Sequence, residues 1–416
     1  MPPAPAPAPA PALSLLRQPG QIVMGAGQRH ALPSLLPESA GVIFVCTDTR
    51  MSAEDDFRRI VWGLQESGRT VRVFDQVPTE LPVGAVIDAV MDRAGERVDL
   101  VMGVGGGSCL DFAKVAALLL THGGKPQDYY GEFAVPGPTI PVVAVPTTAG
   151  TGSEATPVAV LSDPDRDMKV GISSPFLIPA LAVCDPELTY GAPPALTASV
   201  GADALSHLVE SFTAIVRPAT ATLATERVFV GKGALTDAYG LLGLAAIGRS
   251  FRVAVTSEDP VARADMAIAA LAGGLALGTA GTAAAHALQY PIGTATHTAH
   301  GMGVGCLLPY VMEFNRSARV TEFAAIARTL GDDGSAFDDE ELSYRAVDLV
   351  ADLLADVGVP TDLAALGMEP GRERWIAEQA FQAKRLVDNN PRALDVDALE
   401  LIAGAAQRGE RSLLRV

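Results

Sequence analysis

Through about the first 190 positions of this 416-residue chain, short β-branched runs alternate with stretches whose apolar residues recur every three or four places. "AGVIFVCTD" (Ala40 to Asp48) is an apolar run ending in polar residues. "RTVRVFDQV" (Arg69 to Val77) is a second, after the helical pattern "SAEDDFRRIVWGLQESG". "VDLVMGVGGGS" (Val98 to Ser108) is a third and breaks into glycines; "IPVVAVPTTAGTGSE" (Ile140 to Glu154) is a fourth. Buried strands alternating with helices predict a mostly parallel sheet covered by helices on both faces. Three prolines in "CDPELTYGAPPAL" (Cys184 to Leu196) mark a connection, and beyond it the period is helical. In "PVARADMAIAALAGGLALG", Asp259 is placed to cap and Pro260 to occupy the first helical position. The expected organisation is a Pro/Ala tail at 1–14, an α/β domain at 15–190 and an all-helical domain at 191–416.

Composition narrows this reading. The chain is 49% hydrophobic and 19% charged but only 5% aromatic, so alanine, valine and leucine must fill the core. A net charge of −17 repels phosphate backbones and makes nucleic acid an unexpected partner. Four cysteines, none in a CxxC pair, fit neither a disulfide framework nor a thiolate zinc site and suit a reducing, cytoplasmic setting. No uninterrupted apolar run reaches the roughly 20 residues that span a bilayer, so no membrane partner is expected. The opening lacks the charged-then-apolar layout of a signal peptide. "PPAPAPAPAPA" predicts a solvated polyproline-like tail.

Two loops at strand ends carry candidate chemistry. "GGGSCLDFAK" (Gly105 to Lys114) leaves a strand and opens a helix. Its glycines admit a close ligand, Ser108 is placed to cap, and the helix N-terminus suits a pyrophosphate. Asp111 and Lys114 share one helical face. "PTTAGTGSE" (Pro146 to Glu154) adds the hydroxyls of Thr147, Thr148, Thr151 and Ser153 past another strand, where open α/β sheets bind ligands. Asp48 ends a strand too; a carboxylate there holds a ribose 2′-hydroxyl and disfavours a 2′-phosphate, or simply forms a turn.

A metal candidate lies in the helical half. Asp203 and His207 in "SVGADALSHLVES" are four apart and point from one helical face. "AHALQYPIGTATHTAHG" (Ala285 to Gly301) holds three of the chain's six histidines: His286, His297 and His300. His286 is read near the end of an Ala-rich helix that Pro291 and Gly293 break. One carboxylate with imidazoles suits Zn²⁺ or Fe²⁺. Spacing does not choose among the three histidines.

With "GGGSCLDFAK", "PTTAGTGSE", "CDPELT", "GADALSHLVE", "HALQYPIGTATHTAHG", "LLPYVMEFN" and "NPRAL" in this order, the chain resembles the iron-containing (group III) alcohol dehydrogenases. That is the family of lactaldehyde reductase and butanol dehydrogenase, with the dehydroquinate synthase-like architecture; the likeness runs from about Gln21 to the end. It implies an N-terminal dinucleotide domain, a helical C-terminal domain and a site in the cleft between them. It implies Fe²⁺ (with Zn²⁺ as the alternative) on Asp203, His207, His286 and His300, not on His297. Gly105, Gly106, Gly107 and Ser108 would hold the pyrophosphate of NAD. Asp48, Asp111, Thr147, Thr148, Thr151, Val160 and Lys169 would line the rest of the cofactor site. The activity implied is hydride exchange between NAD(H) and a small alcohol or aldehyde, by a homodimer or larger homo-oligomer.

The chain departs from the family pattern at three places. Tyr290 stands where many members have a second histidine thought to move protons; tyrosine or His297 would take that role. "ELP" (Glu80 to Pro82) lacks the asparagine often found before the proline. Asp203 and His286 are separated by 83 positions, and the extra residues fall in Arg217 to Gly240, expected to wall the pocket or form a subunit contact. Alternatives in the same class are a hydroxyacid–oxoacid transhydrogenase and a reductase of an anionic (phosphono- or sulfo-) aldehyde, with Arg217, Arg227 and Lys232 as a possible anion clamp. A dehydroquinate-forming lyase and a non-catalytic dinucleotide sensor are rivals from other classes; four intact ligand positions argue against the sensor.

Overall fold

The computed structural model describes residues 13–93, 95–164, 168–332 and 336–415, so the Pro/Ala tail through Ala12 lies outside the described residues. The four expected strands form: β2 (Val42–Cys46), β3 (Thr70–Phe74), β4 (Leu100–Gly105) and β6 (Val142–Pro146). They join β1 (Gln21–Met24) and β9 (Leu181–Cys184) in one sheet, ordered β1-β9-β6-β4-β2-β3, with every neighbouring pair parallel. From β2 the chain crosses outward to β3 and then back past β2 to β4. The crevice at this reversal, beyond the strands' carboxyl ends, is where such sheets take ligands. A second sheet pairs β7 (Val158–Asp163) antiparallel to β8 (Met168–Ser173), with the two-residue β5 (Gly131–Glu132) along the other edge.

From Pro194 onward helices dominate; the one extended pairing described there is an isolated bridge, Val216 to Gly231. Asp259 caps as the sequence predicts, its Oδ1 accepting from Ala262 N at 2.8 Å ahead of the Pro260–Ala280 helix. Two helices, Ala234–Thr256 and Pro260–Ala280, are long and apolar enough to cross a membrane, but charged residues interrupt both and they pack into the helical core. Pro291 does not break its helix: Ala284–Thr296 is continuous, with the proline inside it. A proline removes one backbone bond and crowds the preceding turn, a local cost that the surrounding packing absorbs here. His286 therefore sits in a first turn, not near a helix end.

Glycines set how close the two halves come. A Cβ on Gly274 would lie 2.3 Å from Gly152 O, so the Thr147–Glu154 loop and the Pro260–Ala280 helix touch backbone to backbone. A Cβ on Gly301 would lie 1.9 Å from Ser199 O, so glycine after His300 lets that helix meet Pro194–Thr213. All four cysteines are free and buried.

Candidate functional site

Asp203 and His207 stand one turn apart on the buried Pro194–Thr213 helix. His286 faces them from Ala284–Thr296, and His300 opens the helix His300–Asn315. Asp203 Oδ1 is the hub: His207 Nε2 lies 3.5 Å away, His286 Nε2 3.6 Å and His300 Nε2 3.5 Å. The ligand atoms of Asp203, His286 and His300 all fall within 4.8 Å of one another. The His207 ring stacks on His286 with centroids 4.9 Å apart. His297 is not in the cluster; it is the exposed C-cap of its helix, at φ 54.

Glu210, which the sequence reading missed, fixes this geometry. Its Oε2 accepts from His286 Nδ1 at 2.6 Å and from Ala283 N at 2.9 Å, and its Oε1 accepts from Ala285 N at 2.7 Å. With the Nδ1 proton held by Glu210, the His286 Nε2 lone pair faces Asp203 Oδ1. Both atoms are buried without a hydrogen-bond partner. Burial opposes ionisation of Asp203, but the facing His207, His300 and His286 more than offset it and hold the carboxyl below its usual range. Buried acceptors aimed at one point are an arrangement that a cation completes, and one carboxylate with three imidazoles fits Fe²⁺ or Zn²⁺. The sequence signal for Glu210 was its position, one turn beyond His207 on the Asp203 face.

The glycine turn opens the Gly107–His122 helix, with Gly106, not Ser108, as N-cap. Ser108 lies in the first turn, too late to cap. Gly105 has φ 155, and a Cβ there would lie 2.5 Å from Cys109 Sγ; one on Gly107 would lie 2.6 Å from Thr151 Cγ2. Asp48 sits beside this turn and caps its own short helix, Oδ1 accepting from Met51 N at 2.7 Å. Thr147 is buried, its N–H bonded to Gly105 O at 3.0 Å. Asp111 is occupied internally, accepting from Ser153 Oγ at 2.5 Å and Val160 N at 2.9 Å.

A cavity of about 250 Å³ joins the two clusters: Gly107, Ser108, Asp111, Thr151, Val160 and Lys169 line it with the four metal candidates. Thr148 lines a different, smaller cavity. Glu80 and Leu81 reach the lip with φ 66 and 46, left-handed values that asparagine adopts more easily than leucine. Lys169 pairs with Glu80 there. Tyr290 lines this cavity and, with His297 and His300, an adjoining one of about 370 Å³. Phe229, from the longer segment, forms part of the wall.

The three basic residues weighed as an anion clamp are committed elsewhere. Lys232 pairs with Asp237 at 2.8 Å and Glu322 at 3.3 Å, Arg227 with Glu132 at 3.5 Å, and Arg217 donates to Asp388 O at 3.4 Å.

Comparison with known proteins places these features in context. The family model described as iron-containing alcohol dehydrogenase matches residues 19–186, and that of the family's C-terminal part matches 197–406. Long-chain-alcohol dehydrogenase 1 of Geobacillus thermodenitrificans is 35% identical over 388 residues, 91% of this chain and 94% of its own. The solved structure of a 1,3-propanediol oxidoreductase superposes with a TM-score of 0.88 at 28% identity, over 95% of this chain and 100% of its own. That of sulfoacetaldehyde reductase from Bifidobacterium kashiwanohense in complex with NAD⁺ gives 0.80 at 25%, over 95% and 98%.

Proposed function

Because the chain belongs to the iron-containing alcohol dehydrogenase family, and is thereby an NAD-dependent oxidoreductase of alcohols and aldehydes, we propose that Asp203, His207, His286 and His300 hold its iron. The observation that carries this is the pair of buried, unpartnered atoms, Asp203 Oδ1 and His286 Nε2, facing each other across the cleft from the glycine turn. When bound, the ion supplies Lewis acidity at the substrate oxygen. Glu210 orients His286 and keeps its Nε2 free for that use. Gly105, Gly106, Gly107 and Ser108 receive the NAD pyrophosphate on main-chain N–H groups at the helix start. Asp48 takes the ribose. Thr151, Val160 and Lys169 line the remaining cofactor path, Thr147 and Thr148 shape the loop beside it, and Asp111 anchors it. Tyr290 and His297 bring protons from the adjoining cavity that they share with His300. The sheet-bearing part to about residue 190 is the cofactor domain, and 191–416 carries the metal and the substrate. A homodimer in the cytoplasm is the expected assembly and setting, the former checked by light scattering.

The test is anaerobic reconstitution with Fe²⁺ and NADH oxidation followed at 340 nm with small aliphatic, hydroxylated and anionic aldehydes. Asp203→Ala is expected to lose bound metal and turnover while still binding NADH. Wild-type rates in a variant that binds no metal would refute the assignment.

A further inference from the structure

Resting on that reading of the site, we infer that Arg385 is the specificity residue of the substrate pocket, and that it receives a terminal oxyanion carried by the aldehyde or alcohol. Arg385 lies on the short helix Lys384–Val387, in the part of the chain that supplies no metal candidate and no cofactor contact. It is half-buried and lines the same cavity as Asp203, His286 and His300. The other lysine or arginine there, Lys169, is paired with Glu80.

Among the described residues Arg385 makes no ion pair. Its guanidinium lies over the Phe229 ring, 4.4 Å from the centroid. Stacking on an aromatic face holds the guanidinium plane still and leaves its edge N–H groups free to donate. The carboxylates of the cavity are engaged elsewhere: Asp111 with Ser153 and Val160, Asp203 within the histidine cluster, Glu80 with Lys169. In the neighbouring cavity of about 430 Å³, which Arg385 also lines, Arg227 is paired with Glu132. A partly desolvated arginine without a counter-ion, in a chain of net charge −17, is a binding site for an anion. The planar fork suits carboxylate, sulfonate or phosphonate, held at the end of the substrate away from its reacting carbon. Phe229 belongs to the longer segment between Asp203 and His286, so that segment supplies the ring on which Arg385 rests.

The test compares NADH-dependent reduction of butanal, 4-oxobutanoate and 3-oxopropane-1-sulfonate by the iron-loaded enzyme and its Arg385→Gln variant. The wild type is expected to prefer at least one anionic aldehyde by tenfold or more in kcat/KM, and the favoured arm names the headgroup. The variant is expected to lose about 10- to 100-fold on that substrate, chiefly through KM, with an effect on butanal at least tenfold smaller. Propane-1-sulfonate, a weak metal ligand, is titrated calorimetrically into both NADH-loaded proteins as a reading independent of turnover; the variant is expected to bind it at least tenfold more weakly. Butanal preferred over both anions, an equal loss on all three substrates, or equal sulfonate binding would overturn the inference. Failure to reduce any aldehyde, butanal included, would count against the proposed reaction, while the calorimetry still decides the role of Arg385.

Discussion

Glu210→Gln tests whether the metal site is built from outside its ligands. The carboxylate now satisfies three donors at 2.6, 2.7 and 2.9 Å, two of them on Oε2. The amide keeps the volume but has one acceptor. If its oxygen takes the Oε2 position, the NH₂ meets the Ala285 N–H donor to donor and one bond is lost. In the flipped orientation Ala283 N and His286 Nδ1 both lose their partner. Leaving one buried donor unpaired costs about 1–3 kcal/mol. In the flipped orientation His286 must tilt or exchange the proton on Nδ1, and in the other its Nδ1–H meets a neutral amide oxygen, a weaker acceptor than the carboxylate; either change weakens the lone pair facing Asp203. Changes to such outer partners lower metal affinity about 10- to 100-fold, or about 1.4–2.7 kcal/mol. The assay is iron retained against a competing chelator, alongside circular dichroism and NADH titration. The expected result is weaker iron with the fold and NADH affinity retained. Iron affinity within twofold of wild type would refute the argument that Glu210 sets the His286 geometry.

Three further outcomes follow from the packing. Gly274→Ala puts a methyl 2.3 Å from Gly152 O, with only backbone to give way, so stability falls by about 1–3 kcal/mol and NADH binds more weakly; an unchanged melting temperature and unchanged NADH affinity would show that the interface yields. Burial pushes the Glu154 carboxyl up to about 7 from 4.5, so its contribution to stability is fully present below about 4.5 and is lost as pH rises through about 7. Glu154→Gln should therefore gain in melting temperature relative to wild type between pH 5 and pH 7, and a pH-independent difference would contradict this. Burial, then the Asp48 carboxylate, pushes the Cys109 thiol up to about 12, and the other three cysteines are buried too. A thiol reagent should label none in the folded chain within minutes and all four in guanidinium; rapid native labelling of Cys109 would show that the turn opens.

The elements legible in the sequence are those whose signal is local. β2, β4 and β6 are unbroken apolar runs between polar ends. β1 and β9 have four residues each, too few for a period to establish itself. The β7–β8 hairpin alternates about a single residue pattern that short strands share with loops. Helix spacing put Asp203 and His207 on one face, but choosing among His286, His297 and His300 depended on the path between two helices. Pro291 made that path look broken, although the helix runs through it. Glu210 and Arg385 went unread for the same reason: each matters through a partner far away in sequence, His286 in one case and Phe229 in the other.

The charges of the glycine turn show why residue type alone misassigns roles. A lysine about two turns into a helix that opens on a glycine turn reads as a phosphate ligand. Here Lys114 Nζ points inward, fully buried, donating to Thr156 O at 3.1 Å, Thr156 Oγ1 at 3.0 Å and Val158 O at 2.8 Å. Asp111, 3.7 Å from it, holds Ser153 and Val160. Together they fasten residues 153–160 to the Gly107–His122 helix, so in the proposed cofactor site the pyrophosphate would fall to main-chain N–H groups and the helix dipole. Lys114→Met should then act on stability before affinity. It strands two carbonyls and a buried carboxylate, a loss of about 3–5 kcal/mol by the measure of broken buried pairs. NADH affinity should change by less than the urea midpoint implies, since no phosphate contact is removed. An unchanged urea midpoint with NADH bound 100-fold more weakly would make Lys114 a phosphate ligand after all.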